Sequence, residues 1–113
     1  MVTGASRGIG QAIARRFLQE NARVVGTRTS VAQEPTVGPS AEEPCDEWIV
    51  GDFTDPADIA SCAERLRDIR PDILVNNAGI NVVSPLVEID LEDFARVQMV
   101  NLHAPLAFCQ AVV

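Results

Sequence analysis

The chain has 113 residues, 47% hydrophobic and 22% charged, a mixture that folds rather than stays disordered and that fits one domain at most. Its net charge of −7 argues against a nucleic-acid partner, whose phosphates such a surface repels, although a local basic pocket can still hold a nucleotide. All nine basic residues are arginine, and the chain contains neither lysine nor tyrosine.

Residues 1–3, with apolar Met1 and Val2, end a first strand. The turn Thr3-Gly4-Ala5-Ser6-Arg7-Gly8-Ile9-Gly10 follows. Its glycines let the backbone turn sharply, come close to a phosphate and pack the next helix on its strand. That helix, residues 9–20, is expected to turn Ile9, Ala12, Ile13 and Phe17 to the sheet and Arg15, Arg16 and Glu20 to water. Its first N–H groups and positive dipole end suit a dinucleotide phosphate; a glycine turn used for packing alone is the other reading. Asn21 is a left-handed stop. Residues 23–27, centred on Val24 and Val25, form a second strand, made parallel to the first by the helical crossover. Residues 31–44 carry three prolines and no periodicity, which predicts a mobile loop or a poorly formed helix.

A third strand spans residues 48–50. Trp48 at its start reads as packing, with stacking on an adenine the alternative. Thr54-Asp55-Pro56 opens a second helix, a capping side chain ahead of a proline, with Ile59, Cys62, Ala63, Leu66 and Ile69 on one face and Arg70-Pro71 at its end. The fourth strand, residues 73–76, runs into Asn76-Asn77-Ala78-Gly79. After a loop over 80–89, Asp90 and Asp93 start a long last helix carrying Leu91, Phe94 and Leu102. Pro105, four residues after Asn101, is expected to bend it and leave the Asn101 carbonyl without its helical partner, for an ordered water to take up. Cys45, Cys62 and Cys109 are odd in number and far apart, so they read as reduced, core-filling thiols rather than a disulfide set or a metal site. With no apolar run of about 18 residues and no leader pattern, the expected compartment is the cytosol.

Four strands alternating with helices predict an α/β fold, half of a Rossmann-type doubly wound parallel sheet in the order 3-2-1-4. A ligand then sits at the carboxyl ends of the strands, where the glycine turn, Arg28-Thr29, Asp52-Phe53 and Asn77-Ala78-Gly79 converge. The second strand ends in Gly26-Thr27-Arg28-Thr29-Ser30, with no acid to accept from a ribose 2′-hydroxyl. Arg28 and Arg7 can instead neutralise a 2′-phosphate, and Thr29 and Ser30 can donate to it, which predicts NADP over NAD unless Arg28 is only a solvated charge. Asp52 also reads as a helix-entry turn residue. The short first strand and the apolar run reaching Val113 without a stop signal lead us to expect a segment of a longer protein.

The pair T-G-A-S-R-G-I-G at 3–10 and N-N-A-G at 76–79 resembles the short-chain dehydrogenase/reductase family, and within it the 3-oxoacyl-[acyl-carrier-protein] reductases, over residues 1–113. The resemblance implies cofactor contacts from Gly4, Ala5, Ser6, Arg7, Gly8, Ile9 and Gly10, from Arg28, Thr29 and Ser30, and from Ala78 and Gly79. It places Asp52 and Phe53 at the adenine, and Asn77 near the adenosine ribose, steadying the central strand. Asn101 matches the asparagine of the family's Asn-Ser-Tyr-Lys catalytic set, while His103 matches no catalytic position. The remaining members, a serine and Tyr-x-x-x-Lys, belong downstream, since this chain has no tyrosine or lysine. The implied activity is NADPH-dependent reduction of a carbonyl, such as a 3-oxoacyl thioester on an acyl carrier protein, in a homo-oligomer. A non-catalytic dinucleotide-binding module is the rival. The segment alone is expected to be inactive and poorly soluble.

Overall fold

In the computed structural model, residues 1–30 and 43–113 are described; residues 31–42, most of the loop expected after the second strand, lie outside them. Strands β1 (Val25–Arg28) and β2 (Glu47–Val50) pair in parallel, Val25 opposite Glu47 and Arg28 opposite Val50. Val2 bridges Gly26 on one side and Val75 on the other, again in parallel. The Val2 N–H donates to the Val25 carbonyl and the Val75 N–H to the Met1 carbonyl, both at 2.9 Å. The segments expected as strands therefore lie in the order 3-2-1-4. The first and fourth join through a bridge rather than a continuous ladder: after the Thr3 N–H donates to the Val75 carbonyl at 3.0 Å, the bonds between them run through the side chains of Thr3 and Asn77.

Alternation along the strands divides the core between two faces. Val25 and Ile49 look toward α2 (Pro56–Ile69) and α4 (Ala104–Val112), packing with Phe53, Leu66 and Phe108. Val24 and Trp48 look the other way, toward α1 (Gly8–Gln19), with Ala5, Ala14 and Cys45. Helices on both faces of a parallel sheet are the doubly wound architecture.

Helix α1 is turned from the expected phase. Gly10 and Ala14 are buried and Ile13 and Phe17 half-buried, whereas Ile9 is 75% exposed and Ala12 is also exposed. The two smallest residues at i and i+4 mark the line of closest approach, and bulky Ile9 is displaced toward the sheet's carboxyl end. Helix α2 follows its pattern: the Asp55 carboxylate accepts from the Ala57 N–H at 2.8 Å, Pro56 is the first helical residue, and Ile59, Cys62, Ala63 and Leu66 are buried. Asn21 (φ 61°) and Arg70 (φ 49°) close the two helices in left-handed conformations. Burial pushes the Cys45 and Cys62 thiols up to about 12, which suits inert core fillers. Cys109, expected to be another, is exposed on α4.

The long last helix is interrupted. Helix α3 (Leu91–Gln98) begins where the Asp90 carboxylate accepts from the Glu92 N–H at 2.7 Å, and a π turn over Met99–His103 separates it from α4. In that turn the Ala104 N–H reaches back to the Met99 carbonyl. Pro105 explains it: it lacks an N–H and crowds the carbonyl four residues back, and one wider turn accommodates it. Leu91, Phe94 and Leu102 are exposed on this stretch, and the loop before it contains a 3-10 turn at Leu86–Glu88.

Candidate cofactor site

The glycine turn depends on its residue type in two ways. Gly4 (φ +64°) and Gly8 (φ +57°) hold left-handed conformations that L side chains rarely adopt. Gly10 is required by proximity, since a Cβ there would collide with the Gly4 carbonyl and the Asn77 amide nitrogen. Above Gly8 the space where a side chain would point is open to 4 Å. Arg7 caps α1 with extended backbone and no side-chain bond, and the first turn holds no acid. The leading N–H groups are thus left for an anion, where the helix dipole also favours negative charge.

Three buried or half-buried polar side chains lock this turn to its neighbours. The Thr3 hydroxyl accepts from the N–H groups of both Asn77 and Ala78 at 2.9 Å. The Asn77 amide donates back to the carbonyls of Thr3 (2.9 Å) and Gly4 (3.2 Å). The Thr27 hydroxyl accepts from the Gly4 N–H at 2.9 Å. Asn77 is therefore the rivet between the first and fourth strand ends. Thr3 and Thr27, each 1% exposed, were not singled out from sequence; the available signal was a threonine directly before the first glycine and another within an otherwise apolar strand.

These strand ends enclose a cleft of about 430 Å³. Gly4, Ser6, Arg7, Gly8, Ile9 and Gly10 line it, together with Arg28 and Thr29, Asp52 and Phe53, and Asn77, Ala78 and Gly79. Thr27, Gly51, Thr54, Ile80 and Val100 complete the wall without having been foreseen. Ala5 does not line it: fully buried beneath the loop, it is a packing residue whose N–H donates to the Thr27 carbonyl at 3.0 Å. Ser30 is exposed and outside the lining. The Phe53 ring is committed to the core, edge-on to Phe108 with centroids 4.9 Å apart, so little of it is left to meet a ligand.

Asp52 is exposed at the rim, its carboxylate accepting from the Thr54 N–H (2.9 Å) and hydroxyl (2.8 Å). Those two bonds, backbone first, with a smaller contribution from the Arg96 charge, hold its pKa below the ordinary aspartate value despite some desolvation. It is both the helix-entry turn residue and an ionised acceptor on the cleft. Asn101 is exposed and outside the cleft lining, its side chain paired with the backbone of Ile80: the Ile80 N–H donates to Oδ1 at 3.0 Å and Nδ2 donates to the Ile80 carbonyl at 2.9 Å. It braces the segment leaving Gly79.

An uncapped helix start, a glycine turn with room above it and three further loops at the carboxyl ends of parallel strands define a dinucleotide-binding site of the Rossmann type. Residues 4–113 match the family model described as Enoyl-(Acyl carrier protein) reductase, and the chain belongs to this family of short-chain dehydrogenases/reductases. It is 37% identical over 118 residues to the sorbitol dehydrogenase of Cereibacter sphaeroides, covering 99% of this chain and 44% of that protein. It is 36% identical over 119 residues to the 3-oxoacyl-[acyl-carrier-protein] reductase FabG of Escherichia coli (strain K12), covering 100% and 47%. Among solved structures, a blue fluorescent protein from a metagenomic library in complex with NADPH superposes with a TM-score of 0.78 at 33% identity, over 98% of this chain and 48% of that one. A 4-hydroxyisoleucine dehydrogenase complexed with NADH gives 0.80 at 27%, over 99% and 46%. The chain spans about half the length of the relatives it matches.

Proposed function

We propose that residues 1–113 are the NADP-binding half of a single Rossmann domain in a carbonyl reductase, with a 3-oxoacyl thioester on an acyl carrier protein as the leading substrate class. The observation that carries the cofactor choice is the acid-free end of β1, where Arg28 and Thr29 line the cleft and Arg7 stands at the helix start. When bound, the cofactor supplies a hydride to the carbonyl carbon. The N-terminus of α1 holds the pyrophosphate, Arg28 and Arg7 neutralise the 2′-phosphate with Thr29 donating to it, and Asp52 accepts from the adenine amino group. Thr3 and Asn77 keep the two strand ends at fixed separation. Asn101 holds the backbone beside the nicotinamide end through Ile80. The proton for the product alcohol comes from outside this segment, which has no tyrosine or lysine. A homo-oligomer in the cytosol, with its cysteines reduced, completes the reading.

The deciding experiment is Arg28→Ala in the full-length protein, with affinities for NADPH and NADH measured side by side. One charge-assisted contact corresponds to roughly 1.5–3 kcal/mol, so NADPH should weaken by about one to two orders of magnitude while NADH changes little. Equal loss for both would reduce Arg28 to a general charge. The absence of tyrosine and lysine also keeps open a second reading, a non-catalytic dinucleotide-binding module. Steady turnover of NADPH with any ketone by the full-length protein would dispose of it.

A further inference from the structure

Arg28 is placed by stacking. Its guanidinium carbon lies 4.8 Å from the centroid of the Trp48 ring. Among the described residues its Nε is buried without a partner. A long charged side chain ordinarily samples many rotamers, and here the indole face packs against it.

The backbone shows why the indole is there. Gly26 and Trp48 are register partners across the parallel pair, so their side-chain positions fall on the same face. Arg28, two residues past Gly26, falls on that face too. A Cβ on Gly26 would meet the Cys45 sulfur first and would then come within 2.9 Å of the indole, so the missing side chain leaves room that the thiol and the ring share. From there the ring reaches diagonally under Arg28. The indole N–H donates to the Glu43 carboxylate at 2.9 Å, which fixes the ring's far edge. Gly26, Trp48 and Arg28 therefore form one device: a vacancy, a platform packed into it beside Cys45, and a cation resting on the platform at the wall of the cleft.

The geometry points to Trp48 as a positioning residue for cofactor selection, which pre-orients Arg28 for a phosphate on the adenosine ribose. This rests on the reading of Arg28 as the 2′-phosphate contact. Trp48 is not itself in the cleft lining and acts only through the arginine.

The test is a double-mutant cycle in the full-length protein, with Trp48→Leu, Arg28→Ala and the double variant, reading dissociation constants for NADPH and NADH by calorimetry. Trp48→Leu should lower the NADPH-over-NADH preference by about 2- to 30-fold, the span of a cation–π contact from exposed to desolvated sites. NADH affinity should stay within about twofold, because a general packing defect would weaken both cofactors together. Trp48→Phe, which keeps a weaker ring, should fall between. In the Arg28→Ala background the tryptophan change should leave the ratio untouched. If Trp48→Leu does not fold, Trp48→Met refills the space with a flexible apolar chain and no ring, and the same loss of preference is expected. A preference that survives removal of the ring but disappears in Arg28→Ala overturns the positioning role and leaves the Arg28 reading standing. A preference that survives Arg28→Ala overturns both.

Discussion

Asp52 shows how one residue serves the turn and the ligand through the same bonds. Thr54 donates twice to its carboxylate, and the result is an acid that stays ionised below the usual aspartate range. The folded-state pKa is depressed, so this contribution to stability is fully present above the unfolded value near 4 and is lost as pH falls through the folded value. Thr54→Val should raise the Asp52 pKa part of the way back, because it removes the hydroxyl bond and leaves the larger backbone one; carboxyl-carbon NMR titration reads it directly. A value unmoved by the substitution would assign the whole shift to the backbone and Arg96. Gly10 gives a second prediction at this scale. An added methyl meets the Gly4 carbonyl and the Asn77 amide, neither of which can retreat without opening the rivet between strand ends. Gly10→Ala should therefore cost about 1–3 kcal/mol of stability, as overpacking does, visible in urea denaturation together with a loss of NADPH affinity. The places of Arg28 and Asp52 at the cleft were legible from their positions after strands. Thr3 was not, because a single hydroxyl does not announce which backbone groups will find it.

The elements differ in how openly their sequences declare them. Helix α2 carries every signal at once, a capping aspartate, a proline at the first position and apolar residues at helical spacing, and it forms as expected. Asp55→Ala should cost about 0.5–2 kcal/mol through the lost cap, checked by chemical denaturation. In α1 hydrophobicity misled: Ile9 and Ala12 fit an apolar stripe, but the contact line is drawn by Gly10 and Ala14, whose value lies in being small. A pattern of apolar residues records what tolerates burial, and the approach of two backbones is set by what is missing. The last helix teaches a related point. Proline predicted a disturbance at the right place; it takes the form of a π turn that contains Asn101, whose side chain pairs with the Ile80 backbone. Pro105→Ala restores the missing N–H and lets the turn close to α-helical geometry, carrying Asn101 off the Ile80 backbone. The Ile80 amide should then exchange with solvent deuterium faster than in the parent, and an unchanged rate would mean that the π turn does not depend on the proline.

At the scale of the whole molecule, strand order and the position of the cleft followed from alternation and crossover handedness alone, since those rules act on any chain of this pattern. Surface association follows from other quantities. Val83, Leu86, Val87, Leu91, Leu102 and Leu106 are each more than half exposed, which leaves an apolar surface over residues 83–106 with nothing described against it. Surfaces of this kind drive association, and here the opposing force is a net charge of −7. The two respond differently to solution conditions. Salt screens repulsion between like-charged molecules over about 10 Å at 0.1 M and leaves apolar attraction intact, so the 113-residue chain should self-associate more as salt is added. Lowering the pH removes the repulsion altogether near the isoelectric point of about 4.5, where solubility should reach its minimum. Light scattering of the purified chain across salt and pH measures both trends. Association that weakens with salt would mean that opposite charges hold the molecules together in place of the apolar face.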